Sequence, residues 1–173
     1  KIISLKMLQA IFRLIFSLFY QVEVKGMENY RKAGKKAVII ANHLSYIDPI
    51  LIATYIPENI QFAINLGVSK EWWVRPFLKL ARTYPIDPNN PMAIKSLIEE
   101  VKKNKKIVIF PEGRISLTGA LMKVYEGPAM IADKANATIL PIRVHGTEFT
   151  CFSKIRKTLK TRFSLRRKIT ITI

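Results

Sequence analysis

Cysteine and histidine are scarce in this sequence. It contains one cysteine, Cys151, and two histidines among 173 residues. A single cysteine excludes an internal disulfide and fits a reducing compartment. One thiol and two imidazoles do not supply the ligand set of a zinc or similar metal site, so we expect no metal.

Acidic residues are also few. Twelve aspartates and glutamates stand against 29 lysines and arginines, which gives a formal net charge of +17 at pH 7. Such a surface attracts anions, and phospholipid headgroups, nucleic acids and acidic proteins are the candidates. The sequence shows no zinc-finger spacing, no aromatic RNA-binding signature and no distinct helix-turn-helix pattern. We therefore expect no nucleic acid partner.

The apolar N-terminal stretch, residues 1–20, lacks the uninterrupted length of a membrane span. Lys6 and Arg13 break the run far short of the roughly 20 residues that cross a bilayer. With Gln9 and Ser17 they form one narrow polar stripe at helical spacing, and no signal-peptide cleavage site follows. The pattern predicts an amphipathic helix that lies in the membrane interface or packs partly on the domain. An ordinary core helix is the alternative.

The remaining sequence alternates short apolar strands with helical patterns, which predicts an α/β fold. We expect a mixed, mostly parallel sheet flanked by helices, with the strand order left open. Strands are expected at residues 22–26, 38–41, 61–64, 106–110, 138–144 and 168–173, with helices at 49–55, from Ser69 onward, 91–103 and 127–135, and a polar connection at 30–36.

A strongly basic segment stands near the C-terminus. Residues 153–168 carry eight lysines and arginines and no acid, and apolar residues recur every fourth position between them. This pattern is typical of a basic amphipathic helix that binds a membrane surface or an acidic partner. A solvated charged face is the alternative.

Two of the predicted strands end in loops with chemically active side chains. His43 follows the first strand, and Asp48-Pro49 comes five residues later with the composition of a helix start, aspartate as N-cap and proline next. An aspartate folded back here can accept a hydrogen bond from one ring nitrogen and leave the other free to take a proton, as a general base must. An ordinary loop histidine beside a helix cap is the alternative.

The second loop carries an F-P-E-G block at residues 110–113, followed by Arg114. In a parallel α/β sheet the carboxyl ends of the strands form the ligand crevice, so we expect this loop and the His43 loop to meet. An arginine binds phosphate oxygens in a fixed fork, which makes Arg114 the candidate phosphate ligand. Gly113 allows the backbone to approach a ligand closely.

At these two loops the sequence resembles the glycerolipid acyltransferase family. The family's H-x4-D motif is matched by His43 and Asp48, its F-P-E-G block by residues 110–113, and its V-P-V strand by residues 139–142. The similarity runs from about Gln21 through nearly the whole chain. The resemblance implies an acyltransferase domain at 21–173, preceded by the amphipathic membrane-interface helix that the residue pattern predicts at 1–20. Because the chain begins at a lysine and stops inside a strand pattern, we expect it to be part of a longer protein.

Residues 84–88, 91–95, 112–119 and 121–123 are similar to the acyltransferase half of the bifunctional 2-acylglycerophosphoethanolamine acyltransferase/acyl-ACP synthetase. The resemblance implies an O-acyltransferase that moves a fatty acyl group from acyl-ACP or acyl-CoA to a 2-acyl lysophospholipid such as lysophosphatidylethanolamine. No further cofactor is expected. The alternatives are a 1-acylglycerol-3-phosphate acyltransferase making phosphatidic acid and, from another class, a non-catalytic basic membrane- or RNA-binding module.

The resemblance also implies a location and a set of partners. We expect the cytoplasmic face of the inner membrane, with the phospholipid surface, the lysophospholipid and acidic acyl-carrier protein as partners. His43 is expected to act as the general base and Asp48 to orient it. Amides near the Asn42 loop or the Pro49 helix start are candidate oxyanion donors.

The acceptor site is assigned on the same basis. The resemblance places Glu112 and Gly113 in it, and we add Arg114 and Asn42 as substrate-binding residues. A carboxylate beside a phosphate is repelled, so we expect Glu112 to bind a hydroxyl or to hold Arg114. We interpret Cys151 and Ser45 as non-catalytic. We interpret His145 as structural, because no carboxylate is expected at a comparable spacing from it.

Overall fold

A computed structural model describes residues 5–56, 60–70, 72, 78, 82–87, 90–155 and 166–173. Within these ranges the strands are β1 (Tyr20–Lys25), β2 (Ala37–Ala41), β3 (Gln61–Asn65), β4 (Arg82–Ile86), β5 (Lys106–Ile109), β6 (Thr138–His145) and β7 (Arg167–Thr172). The helices are α1 (Leu5–Phe19), α2 (Met27–Lys32), α3 (Asp48–Tyr55), α4 (Leu66–Ser69), α5 (Pro91–Lys102) and α6 (Gly127–Ala135), and Thr147–Phe149 forms a 3₁₀ turn.

The seven strands form one sheet in the order β1-β7-β6-β2-β5-β3-β4. All neighbours pair in parallel except β6 and β7, which are antiparallel. The predicted α/β class and its mixed, mostly parallel sheet are confirmed. The order places β2 between β6 and β5, so the His43 loop leaves the middle of the sheet.

Both faces of the sheet are covered, and the alternation along β2 shows how. Ile39 packs with Leu51 of α3 in one buried cluster, whereas Val38 packs with Leu97 of α5 and Ile131 of α6 in the other. Successive side chains of a strand point to opposite faces, so a short β-branched strand supplies both layers. The central strands are therefore rigidly held where the loops leave them.

Two residues of the polar stripe on helix α1, Gln9 and Arg13, bind the end of α3. Gln9 Nε2 donates to the carbonyl of Ala53 at 2.9 Å and Arg13 Nε to that of Thr54 at 3.1 Å, and both carbonyls lie in the last turn of α3. Only Phe16 of this helix is buried, so an ordinary core helix does not fit. The apolar residues that face outward, with 42–65% of their surface exposed, are Met7, Ile11, Leu14, Ile15, Leu18 and Phe19.

No helix in the described ranges combines the length and the apolar character that crossing a bilayer requires. The placement of α1 in a membrane interface stays a prediction, since it rests on the exposed apolar side chains alone.

Two local differences from the sequence-based expectations have physical causes. Helix α2 lies where a connection was expected, because its Tyr30 is buried among apolar residues. Strand β4 was not predicted, since Pro85 removes a donor, but it lies at the sheet edge, where proline is tolerated. Most of the helix expected from Ser69 and residues 156–165 of the basic segment fall outside the described residues.

Candidate active site

The two loops expected to meet lie side by side. β2 and β5 pair in parallel, with Ile40 opposite Ile109, so both chains leave the sheet at the same edge. The carboxylate of Glu112 accepts a hydrogen bond from the His43 amide at 3.1 Å, and the carbonyl of His43 accepts one from the Ser116 amide at 2.7 Å. The loops are thus joined by hydrogen bonds in both directions.

His43 and Asp48 form an imidazole–carboxylate pair. His43 Nδ1 lies 3.1 Å from Asp48 Oδ2, the aspartate side chain is fully buried, and the imidazole keeps 17% of its surface exposed. A carboxylate accepts from Nδ1–H, which leaves the Nε2 lone pair free. The site therefore holds a ring with one fixed nitrogen and one nitrogen able to take a proton.

Asp48 does not cap its helix as the sequence suggested. Ile47 occupies the N-cap position and no side chain caps α3. Oδ2 of Asp48 instead turns back and accepts from the amides of Leu44 at 2.6 Å and Ser45 at 2.7 Å as well as from the imidazole. The other oxygen, Oδ1, is buried without a hydrogen-bond partner among the described residues. The Asp48 carboxylate therefore holds the backbone of the His43 loop as well as the imidazole.

An aromatic ring covers one face of the imidazole. Phe110 stacks on His43 with 4.2 Å between ring centroids and 24° between the planes. Stacking restricts rotation of the imidazole, so Phe110 and Asp48 together fix its orientation. Sequence reasoning missed this contact, although Phe110 opens the F-P-E-G block at the end of the neighbouring strand.

Glu112 has a role that the sequence did not suggest. Its Oε1 accepts from the His43 amide, and its Oε2 accepts from the Met122 amide at 3.1 Å. The side chain is buried, with 3% of its surface exposed. Among the described residues Glu112 forms no ion pair with Arg114, so the expectation that it holds this arginine is wrong. Each of its oxygens binds one backbone amide and keeps a second lone pair, so a contact with a substrate hydroxyl stays a prediction.

The amides from His43 to Asp48 are all engaged. They donate in chain order to Glu112 Oε1, to Asp48 Oδ2 twice, and to Phe152 O, Ser45 Oγ and Ser45 O. The amides from His43 to Asp48 are therefore not free to bind an oxyanion, contrary to the expectation for the Asn42 loop, whereas a donor at the Pro49 helix start stays a prediction. An oxyanion requires donors from another part of the site.

Asn42 has a structural contact that the sequence did not suggest. Its Nδ2 donates to the carbonyl of Val144 at 2.9 Å, and its Oδ1 accepts from the Val144 amide at 2.8 Å. These two bonds extend the hydrogen bonding between β2 and β6 beyond the last paired backbone residues. A substrate contact by Asn42 stays a prediction, now beside this structural tie.

An open pocket of about 220 Å³ lies next to Glu112. Gly113 borders it with φ of +66°, a left-handed conformation that favours glycine. The structure thus places Arg114 and Gly113 at one pocket, as expected, and adds residues that the sequence reading did not assign. The pocket is lined by Glu112, Gly113, Arg114, Met122, Lys123 and Tyr125.

The side chains of His145, Ser45 and Cys151 form no hydrogen bond with His43 or Asp48 among the described residues. His145 has a carboxylate partner, since its Nδ1 lies 2.8 Å from Oε1 of Glu148, three residues on. The expectation that no carboxylate stands at a comparable spacing is therefore wrong. Ser45 is buried with its hydroxyl 3.2 Å from that of Thr150, and Cys151 is exposed. No cluster of three metal-binding side chains occurs among the residues that the structure describes.

Fold and site together define an α/β protein with a buried carboxylate, an oriented imidazole and a cationic pocket at the carboxyl edge of its sheet. The chain belongs to the Acyltransferase family, whose sequence profile matches residues 21–145. The resemblance found from the H-x4-D and F-P-E-G motifs is confirmed at the level of the family. The narrower likeness to the bifunctional 2-acylglycerophosphoethanolamine enzyme is not shown.

The chain is similar to several curated proteins. It is 26% identical to the chloroplastic 1-acyl-sn-glycerol-3-phosphate acyltransferase LPAT1 of Arabidopsis thaliana over 133 residues, which are 75% of this chain and 37% of that protein. It is 32% identical to the 1-acyl-sn-glycerol-3-phosphate acyltransferase of Cocos nucifera over 142 residues, 78% of this chain and 44% of the relative. The chain thus spans less than half the length of either relative.

A crystal structure shares the fold. The 1-acyl-sn-glycerophosphate (LPA) acyltransferase PlsC from Thermotoga maritima superposes with a TM-score of 0.72 at 25% sequence identity. The match covers 97% of this chain and 66% of the PlsC chain. Membership of the family and the architecture of the sheet are therefore supported by independent comparisons.

Proposed function

We propose that this chain transfers a fatty acyl group from a thioester to the free hydroxyl of a 1-acylglycerol-3-phosphate. Support for the acceptor comes from the names of the relatives, each of which is a 1-acyl-sn-glycerol-3-phosphate acyltransferase. This was the alternative reading of the sequence. The observation that carries the chemistry is the 3.1 Å contact between His43 Nδ1 and the buried carboxylate of Asp48.

The reaction follows from that pair. Nε2 of His43 takes the proton of the acceptor hydroxyl while the hydroxyl oxygen attacks the thioester carbonyl carbon. The tetrahedral intermediate then expels the thiolate, which receives the proton from the imidazolium. Asp48 stabilises the imidazolium and keeps the ring in one tautomer, as the aspartate of a serine-protease triad does. The thioester is already activated, so no enzyme nucleophile is needed.

The donor and the location are proposed on separate grounds. Acyl-ACP or acyl-CoA would serve as the thioester, and the +17 charge favours either, because both are acidic. The outward apolar side chains of α1 would lie in the interface of the membrane that supplies the acceptor, at the cytoplasmic face of the inner membrane. Residues 21–173 would form the acyltransferase domain proper.

Only the sequence supports a second acceptor. The likeness of residues 112–119 and 121–123 to the 2-acylglycerophosphoethanolamine enzyme favours lysophosphatidylethanolamine. The two acceptors differ in the phosphate, which is a monoester in one and a diester carrying an ammonium in the other. Comparing both lysolipids in a thiol-release assay with the same thioester separates the two proposals.

The test of the chemistry is His43→Ala. We expect the rate of thiol release to fall by about 10²–10⁴, the usual contribution of a general base, with the thermal unfolding temperature little changed. His145→Ala is the matched control, since it removes an imidazole that also faces a carboxylate but lies outside the proposed machinery. Full activity in purified His43→Ala protein would refute the mechanism.

A further inference from the structure

The pocket beside Glu112 contains a second cation that the proposed mechanism has not used. Lys123 lines it together with Arg114, although nine residues separate the two in sequence. Both side chains are exposed, so each is accessible to a ligand from solvent. The feature to explain is why the fold brings two basic side chains to one small pocket.

The backbone on both sides of Lys123 is tied to the loop that carries Arg114. On one side the Met122 amide donates to Oε2 of Glu112 at 3.1 Å, and on the other the Tyr125 amide donates to the carbonyl of Pro111 at 3.0 Å. Two anchors within four residues hold the lysine against the F-P-E-G loop. Backbone hydrogen bonds therefore hold the segment that carries Lys123 next to the loop that carries Arg114.

The side chain of Lys123 also has a support. Its Nζ lies 5.1 Å from the centroid of the Tyr125 ring, within the range of a cation–π contact. The same ring packs on Gly113, where a Cβ would stand 3.6 Å from Tyr125 Cε2. The Tyr125 ring therefore lies beside both Gly113 and the Lys123 ammonium.

The charges in the pocket are not balanced by the protein. Among the described residues, Glu112 is the only carboxylate that lines the pocket, and both of its oxygens accept from backbone amides. Neither Arg114 nor Lys123 forms an ion pair with any carboxylate in the part of the chain that the structure describes. Two cations with a single engaged carboxylate favour an anionic ligand that carries more than one charge.

We infer that Lys123 is a second phosphate-binding residue, which grips the acceptor's phosphate beside Arg114 and favours a phosphomonoester over a phosphodiester. The inference rests on the proposed function, because it takes the anion to be the acceptor's phosphate. A monoester carries a charge of about −1.5 to −2 near neutral pH, whereas the diester carries one negative charge. The Coulomb energy scales with that charge.

The size of the effect follows from the same scaling. Removing one exposed cation of the protein should lower its affinity for a monoanionic ligand about threefold, which is the scale of an exposed ion pair. For a dianionic ligand the Coulomb energy is about doubled, so the loss of affinity is the square of that factor, or roughly tenfold. Lys123→Gln should therefore raise KM for lysophosphatidic acid about three times more than KM for lysophosphatidylethanolamine.

The experiment uses short-chain, monomeric forms of both lysolipids. Steady-state kinetics of Lys123→Gln are compared with Lys123→Arg, which keeps the cation, and with Lys134→Gln, which removes an exposed lysine from α6 and matches the change in net charge. We expect the larger rise in KM only in Lys123→Gln, with kcat nearly unchanged because the phosphate is remote from the reacting atoms. Lys123→Arg should restore the wild-type values.

Binding of short-chain lysophosphatidic acid is also measured by calorimetry without any thioester. This separates the two proposals: absence of turnover in the wild type would end the proposed function, whereas the calorimetric comparison still tests the lysine. Equal affinity of the wild type and Lys123→Gln would overturn the inference. An equal loss in Lys134→Gln would also overturn it, since net charge alone would then account for the effect.

Discussion

Replacing Glu112 with glutamine tests whether this carboxylate holds the site together. The carboxylate accepts from the amides of His43 and Met122, one with each oxygen. Glutamine has the same shape but only one acceptor, and its NH₂ group must face one of the two amides. One buried N–H therefore loses its partner, and the bond that remains is no longer charge-assisted.

The magnitude comes from these two losses. A buried donor left without a partner costs about 1–3 kcal/mol, and loss of the charge from the other bond costs about 1 kcal/mol more. The total of about 3 kcal/mol corresponds to a fall in unfolding temperature of roughly 6–12 °C for a chain of this size. Circular dichroism during thermal unfolding, without substrate, measures it directly.

The control is Glu126→Gln, the same change at an exposed glutamate with no side-chain cap bond at the start of α6. We expect that variant to unfold within about 1 °C of the wild type, as for most surface changes. If Glu112→Gln also unfolded with the wild type, the two amide bonds would contribute little. The reasoning that makes Glu112 a tie between loops would then be refuted.

Two further predictions concern parts of the fold away from the site. Arg13→Ala should lower the free energy of unfolding by about 1–2 kcal/mol, because Arg13 binds a carbonyl in the last turn of α3, where a cation is favoured. Urea titration measures this change, and Lys6→Ala, which removes an exposed lysine of the same helix, is the control. Hydrogen bonds from Lys103, and then from Lys105, hold the pKa of the Glu100 carboxyl below its usual value of 4.5. This contribution to stability is complete at pH values above 4.5 and is lost as the pH falls through the lowered pKa of Glu100. Glu100→Gln should therefore unfold at a lower temperature than the wild type at pH 7. At a pH below the lowered pKa the two proteins should unfold at the same temperature. A difference that persisted in strong acid would contradict this origin.

The sequence by itself determined the family, the class of fold and the strand-end position of the imidazole. β-branched runs, the proline after Asp48 and the F-P-E-G block are local signals, and each belongs to a few consecutive residues. The pairing of His43 with Asp48 could be predicted because five residues of a tight loop leave few ways to arrange the two side chains. The edge strand at Pro85 was missed because its local signal is weak.

Only the tertiary structure decided how the two loops divide their roles. Glu112 binds the amides of His43 and Met122, Phe110 stacks on the imidazole, and Lys123 joins Arg114, all across gaps in the chain. Gln9 and Arg13 of helix α1 likewise donate to carbonyls at the end of α3. These contacts depend on which strands are neighbours in the sheet. Residue spacing carries no record of that order, so no reading of motifs could supply it.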